Sequence, residues 1–164
     1  MPKTYTPIAT TTTTTSTATS VTISSIPSTY TDLILSINAQ STGTSSIVFR
    51  VNGDGGANYS GTQLWSNGSA LGSQRLSSQT TAYLSYDGLA STNGAWGNLQ
   101  IHFMNYSNTT TFKQIINRAT AAPIGTDVNA SLWRSTAAIN SITIYSGGYF
   151  NTGCTFTLYG IKAA

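Results

Sequence analysis

The sequence predicts an all-β protein, an antiparallel two-sheet β-sandwich of jelly-roll type with an extended N-terminal arm. Three observations favour this fold. Thr, Ile, Val and Tyr are plentiful, whereas Glu is absent. Short segments of alternating apolar and polar residues recur between turn residues, and no segment has a helical period. The 164 residues suit a single domain. We divide them into an arm, residues 1–19, and a sandwich, residues 20–164.

The arm is predicted from the first nineteen residues. Pro2 and Pro7 oppose a helix and interrupt strand pairing, and the threonine run at 10–15 has no apolar face. One interpretation is a solvated, partly disordered N-terminus. The other is an extended arm that lies on a neighbouring subunit and becomes ordered on contact. In the second case, Tyr5, Pro7 and Ile8 form the interface.

The sandwich is predicted from eight segments with strand patterns. They are residues 20–26, 30–38, 47–51, 82–86, 98–106, 112–119, 138–146 and 154–161. In the last of these, Phe156 and Leu158 alternate with polar residues, so we expect it to pair inside a sheet. Residues 131–138 either hold one helical turn or lead into the next strand. This many short strands separated by turns is typical of a sandwich.

The glycine-rich stretch NGDGGANYSG, residues 52–61, is predicted to be a long turn. Its oxygen atoms allow two interpretations. Asp54, with Asn52 or Asn58 and backbone carbonyls, can hold a calcium ion. Alternatively, the loop is satisfied by its own hydrogen bonds, which we favour. One Cys, one His and no Glu make a zinc site untenable. We expect neither a metal ion nor a cofactor.

Catalytic groups are scarce, so we expect a protein that is not an enzyme. The single histidine, His102, lies in a predicted strand and is expected to be a surface residue with a local hydrogen bond. No G-x-S-x-G motif is present. The four aspartates are far apart in the sequence, at Asp32, Asp54, Asp87 and Asp127. Two of them, Asp54 and Asp87, are followed by glycine, which predicts turns.

Charge and hydropathy predict where the protein acts. The net charge of +3 comes from seven scattered basic residues, which argues against a nucleic-acid partner. We find no secretory signal and no apolar stretch near the ~18 residues that cross a bilayer, so no membrane role is expected. The single cysteine, Cys154, excludes an internal disulfide and is predicted to be a small buried residue. We expect synthesis and folding in a cytoplasm.

Two tryptophans are candidates for surface contact. Trp65 and Trp96 lie in the loop-like contexts LWSNGS and NGAWGN. If exposed, they can stack on sugars or anchor a protein partner. Core packing at the ends of the sandwich is the alternative role for both.

Several stretches together resemble a known family. They are MPKTYTPIATTT, SVTISSIPSTYTDLIL, NGDGGANYS, HFMNYSN, LWRSTAAINSITI and FTLYGIKAA. The sequence is similar along nearly its whole length to a recurring family of tailed-phage structural proteins, common among cyanophages and marine phages. The resemblance implies a β-sandwich used in virions, either alone or at the end of longer fibre-like proteins. Its motifs are structural rather than catalytic.

The resemblance leads to two hypotheses. The first is a capsid decoration (cement) protein on the capsid exterior, synthesised in the bacterial host cytoplasm. It would bind the major capsid protein as a homotrimer and stabilise the junctions between capsomers. The alternative is a receptor-binding module of a tail or head fibre that recognises host-surface glycans through Trp65 and Trp96. An enzymatic depolymerase ranks third.

Overall fold

The computed structural model describes residues 4–43, 46–86, 95–121 and 125–162. Within these ranges every regular element is a strand. The strands are β1 (Tyr5–Thr12), β2 (Ala18–Ile23), β3 (Asp32–Ala39), β4 (Ile47–Val51), β5 (Tyr59–Ser66), β6 (Leu71–Gln79), β7 (Ala82–Ser85), β8 (Gly97–Phe103), β9 (Lys113–Ala121), β10 (Gly125–Trp133), β11 (Ile142–Phe150) and β12 (Thr155–Ile161). Pro2 and the predicted turn at Asp87 lie outside the described residues.

The strands form two antiparallel sheets of unequal size. The larger has eight strands in the order β1-β12-β3-β8-β9-β10-β5-β6, and the smaller has four in the order β2-β11-β4-β7. The sheets pack face to face around one core. The predicted all-β, two-sheet antiparallel sandwich is therefore confirmed. The jelly-roll connectivity stays a prediction.

Alternating residues of both sheets build the core. Leu33, Leu35 and Phe103 are completely buried on the inner face of the larger sheet. Phe49 of β4 meets Phe103 edge-on, with ring centroids 5.8 Å apart, so the two sheets are joined by an aromatic contact. Burying a side chain of this size stabilises the fold by about 2–3 kcal/mol.

The last strand lies inside the larger sheet. β12 pairs with β1 on one side and with β3 on the other. Phe156 and Leu158 are fully buried, as is Cys154 just before the strand. The expectation for this segment and for the cysteine is confirmed.

The N-terminal segment corrects one prediction. Residues 5–12 were expected to lie outside the sandwich as part of an arm, but they form β1, the edge strand of the larger sheet. Tyr5 pairs with Ile161 and Thr12 pairs with Thr155. Beyond the strand, the backbone N–H of Thr13 donates to the carbonyl of Cys154 at 2.9 Å. The second strand starts at residue 18.

The physical reason is that an edge strand tolerates a proline and a bulge, whereas a central strand does not. Pro7 lacks an N–H, and the register shifts between Pro7 and Ala9, which leaves Ile8 as a bulge. Thr10 and Thr12 pair with threonines of β12, and the Thr10 hydroxyl donates to that of Thr157 at 3.2 Å. Cross-strand hydroxyl pairs and β-branched side chains favour this pairing.

Three strands escaped the sequence analysis: β5, β6 and β10. In β10 the usual polarity is reversed, because Asp127 and Asn129 are buried while Val128 is 45% exposed. β6 has no buried residue at all. A period-two search for a buried apolar face cannot find such strands. Residues 131–133 end β10, and no helical turn follows them.

The buried amide side chains of β5, β9 and β10 form hydrogen bonds with neighbouring groups. The side-chain amides of Asn117 and Asn129 donate to the carbonyl of Leu84 at 2.9 and 3.2 Å. Gln74 donates to the side-chain oxygen of Gln63 at 2.7 Å. These hydrogen bonds offset part of the cost of burying amides between the sheets, because within the described residues Asn117 Oδ1, Asn129 Oδ1 and Gln63 Nε2 have no hydrogen-bond partner.

Tyr59 allows a test of this packing at alkaline pH. Its hydroxyl accepts from the Val51 N–H at 3.1 Å and donates to the Asp54 carbonyl at 3.2 Å. Burial raises the pKa of Tyr59 from 10.0 to about 12. The unfolded state therefore loses this proton first, and stability is lost as pH rises from 10 to 12. At neutral pH we expect Tyr59→Phe to lower the free energy of unfolding by about 1–2 kcal/mol. The variant should also lose less stability between pH 10 and 12. Urea unfolding measures both quantities.

The control is Tyr149→Phe at an exposed position, which should alter neither quantity. The variants should be compared above pH 10.5. Burial lowers the pKa of Lys113, so below that pH this lysine makes stability rise with pH, which is opposite to the effect of Tyr59. Some alkaline loss should persist, since burial also raises the pKa of Tyr106. An undiminished loss in Tyr59→Phe would contradict the prediction.

Candidate binding surface

The broadest exposed surface is the side of the eight-stranded sheet that faces away from the smaller sheet, which we call the outer face. Strand register divides it into two halves on either side of β8. The threonine-rich half comprises the outward residues of β1, β12 and β3: Tyr5, Pro7, Thr10, Thr12, Thr155, Thr157, Tyr159, Ile161, Asp32, Ile34, Ser36 and Asn38. The arginine half comprises the outward residues of β9, β10, β5 and β6, with Arg118 and Arg75 among them.

The threonine-rich half contains the predicted interface residues Tyr5 and Pro7, both exposed. Tyr5 is 57% exposed and packs edge-on against Tyr159, with ring centroids 6.4 Å apart. Ile8 differs, because it is partly buried and packs against the core. The structure therefore leaves two of the three predicted contact residues accessible for a partner.

The arginine half contains a groove of about 570 Å³ that sequence reasoning missed. Its apolar floor includes Ile116, Ala130 and Leu132, which lie on β9 and β10. Arg75, on edge strand β6, and Arg134, just after β10, also line it. No carboxylate is among the described residues that line the groove. The groove thus combines an apolar floor with uncompensated positive charge.

The groove exists because the polarity of these strands is reversed. Ile116 of the groove floor points outward and is 48% exposed. Leu64 and Val128 lie on the same face beside the groove and are 53% and 45% exposed. Val128 pairs directly with Leu64 on β5, so these side chains form one patch. The signal that could have revealed this face is in β10, where Val128, Ala130 and Leu132 alternate with polar residues. A search that assigns the apolar set to the core misses the strand, because Asp127 and Asn129 are buried instead.

The candidate contact residues Trp65 and Trp96 lie at one end of the sandwich but in different environments. Trp65 is half-buried and stacks on Tyr86, with centroids 6.0 Å apart and planes 21° apart. It also covers Gly72, where a Cβ atom would come within 2.4 Å of the indole ring. Trp96, immediately before β8, is 41% exposed. We call this end, which also exposes Tyr149, the aromatic end.

The single histidine has the local hydrogen bond that was expected of it. His102 Nε2 lies 2.9 Å from Asp32 Oδ2, and the other oxygen of Asp32 accepts from the Asn105 N–H at 2.7 Å. Asp32 thus joins β8, β3 and the turn after β8. In the part of the chain that the structure describes, no three His, Cys, Asp or Glu residues lie close enough to hold a metal ion.

The glycine-rich loop is organised by Asp54. One carboxylate oxygen accepts from the Gly56 N–H at 2.8 Å. The other accepts from the indole N–H of buried Trp133 at 2.7 Å and from the Asn58 amide at 2.9 Å. The hydrogen bond from Trp133 is the main cause that lowers the pKa of Asp54 below 3.8.

The remaining oxygen considered for calcium belongs to Asn52. Its side-chain oxygen accepts from the backbone N–H groups of Asn140 and Ser141 at 2.8 and 3.2 Å. The loop therefore has the internal hydrogen bonds that we favoured from the sequence, and they connect it to β10 and to the segment before β11.

A buried cation was not foreseen. Lys113 is 1% exposed at the start of β9, and its ammonium donates to the carbonyls of Thr111 and Thr136 at 2.8 and 3.2 Å. Burial lowers the pKa of Lys113. These bonds hold the ends of two connections together, so the role that we see for Lys113 is structural.

Comparisons with known proteins add no assignment. A scan against protein-family models returns no match for this chain, and a search of curated proteins returns none either. Among the described residues, no helix has the length and apolar character to span a bilayer. The resemblance to phage structural proteins therefore stays a prediction.

The contact between Asp54 and Trp133 provides a second test. A double-mutant cycle of Asp54→Ala and Trp133→Phe should give a coupling energy of about 1 kcal/mol at pH 7, measured by urea unfolding. Because the pKa of Asp54 is lowered, this coupling is present above pH 3.8 and is lost as pH falls through the folded-state pKa. We expect it to be smaller at pH 2.

The matched control is a cycle of Asp54→Ala with Trp65→Phe, which tests a tryptophan that packs on Tyr86 instead. Its coupling energy should be close to zero. Equal coupling in the two cycles would show that Asp54 acts on the whole fold rather than through the indole N–H.

Proposed function

We propose that this chain is a non-catalytic virion protein that decorates the exterior of a phage capsid. It would bind the major capsid protein as a homotrimer and stabilise the junctions between capsomers. The observation that carries the proposal is the threonine-rich half of the outer face. This broad surface is polar, its one acidic residue, Asp32, is paired with His102, and it ends in the exposed Tyr5 and Pro7.

The chemistry of this half favours burial against another protein. Hydroxyl and amide groups can form hydrogen bonds across an interface, and burying them leaves no ion without a partner. The apolar anchors are Tyr5 and Tyr159, which pack together at one corner. Tyrosine is a residue type that often dominates binding energy.

The roles of the ionisable groups support a structural rather than a catalytic function. Asp32 joins His102 to the Asn105 backbone, and Asp54 holds Trp133 and its own loop. Asp127 accepts a hydrogen bond from the Tyr86 N–H at 3.2 Å. Each of these carboxylates holds a part of the fold in place.

The aromatic end favours a second candidate function, a fibre module that binds host-surface glycans. Trp96 and Tyr149 are 41% and 49% exposed there. Exposed aromatic rings bind the apolar faces of sugars. Trp65 is a weaker candidate, because Tyr86 and Gly72 already cover its ring.

The two candidate functions can be distinguished by substituting two exposed tyrosines that lie at opposite ends of the sandwich. If the threonine-rich half binds the capsid, Tyr5→Lys should reduce binding to particles stripped of the protein at least tenfold, because a charge replaces one of the two aromatic anchors of the contact. Tyr149→Lys, a matched change at the aromatic end, should bind like the parent. Cosedimentation of purified protein with particles measures both.

Deleting residues 2–18 would not test the docking surface specifically, because the deletion removes β1 and the anchoring Thr13. Normal binding by Tyr5→Lys would refute the proposed docking surface. Loss of binding in Tyr149→Lys alone would favour the aromatic end.

The copy number in the virion tests the proposed location. A decoration protein should be present in hundreds of copies per particle, whereas a fibre module should be present in tens or fewer. Quantitative proteomics of purified virions measures this number, and light scattering of the purified protein tests the homotrimer. A count of a few tens would reject the capsid proposal in favour of the fibre.

A further inference from the structure

We propose that the groove in the arginine half binds an acidic saccharide, one whose sugar units carry carboxylate groups. This site is distinct from the two tryptophans considered above, and it goes beyond the proposed capsid function. The volume of about 570 Å³ lies within the usual range for small-molecule sites, which is roughly 300–1,000 Å³.

The charge of the ligand follows from the two arginines. Arg75 is exposed on β6, and Arg134 is half-buried at the other side of the groove, where one of its N–H groups donates to the Ala57 carbonyl. That hydrogen bond positions the guanidinium beside the groove. A guanidinium presents paired N–H groups that match a carboxylate. No carboxylate among the described lining residues competes for them.

The rest of the lining fits a sugar. Ser60, Thr62 and Gln114 supply hydroxyl and amide groups that can bond to sugar hydroxyls. Between them lie Ile116 and Ala130, which pair directly across β9 and β10 and provide an apolar floor for the C–H face of a sugar ring. Ile116 is 48% exposed, so this floor is accessible to a ligand.

Sheet geometry favours a saccharide over an extended peptide. The groove reaches the edge strand β6 at Arg75, but most of it lies over β9, β10 and β5, each of which is paired on both sides. Their backbone N–H and C=O groups are used in the sheet, so a peptide lying on this face cannot extend the ladder. A sugar needs only the side chains that project from the face. An acidic peptide is therefore the less favoured occupant.

The groove and the proposed capsid contact can function independently. β1 and β10 are separated by four strands, which places them about 24 Å apart at the usual spacing between neighbours. A chain attached through its threonine-rich half would still expose the arginine half. Failure of saccharide binding would therefore leave the capsid proposal standing, and the reverse also holds.

The test is an NMR titration of the purified full-length protein with trigalacturonic acid, compared with the neutral galactotriose. We expect saturable shifts at Ile116, Ala130 and the Arg75 side chain with the acidic trisaccharide. The neutral one should bind at least tenfold more weakly. Arg75→Gln should weaken binding of the acidic trisaccharide at least fivefold, and added salt should weaken it further.

The matched control is Arg118→Gln, which removes an arginine from the same face but outside the groove. Its affinity should stay within twofold of the parent, and the amide spectrum of each variant shows whether it is folded. Equal losses in the two variants would indicate non-specific attraction and overturn the site. So would equal binding of the neutral sugar, an absence of shifts at millimolar ligand, or groove shifts with an aspartate-rich peptide but not with the saccharide.

Discussion

The architecture depends on burial of the inner face of the eight-stranded sheet by the smaller sheet. Phe49 meets Phe103 across the interface, and the leucines of β3 are completely buried around them. Because side chains alternate between the faces of a strand, fixing which residues point inward also fixes which point outward. The chemistry of the outer face is therefore set by the same register that builds the core.

The unequal sheets explain why the two halves of the outer face differ. Under β9, β10 and β5 the inner row contains the buried amides of Asn117, Asn129 and Gln63, satisfied in part by the Leu84 carbonyl and by Gln74. With these polar residues turned inward, Leu64, Ile116 and Val128 of the same strands face solvent. A core that accepts amides thus creates an exposed apolar floor, which the arginines border.

Much of the fold could be predicted from sequence, because eight segments contain the alternation of a strand with one apolar face. The strand 47–51 was predicted with the bounds that the structure has, and 154–161 differs by one residue. β5, β6 and β10 were missed, since none of them has more than one buried apolar residue. Tyr5, Pro7 and Trp96, which the sequence analysis named as candidate contact residues, are exposed, but whether they bind a partner stays a prediction, and the groove was not foreseen.

The sequence by itself determined the all-β class and the buried cysteine, because composition and residue alternation are local properties. A hydrogen bond of His102 was expected, but its partner, Asp32, is supplied by the pairing of β3 with β8. Only the tertiary structure decided that residues 5–12 belong to the sheet and that Arg75 and Arg134 border one groove. These facts depend on which strands become neighbours. That choice is made by long-range pairing, such as β1 with β12, whose energy no local window of the sequence contains.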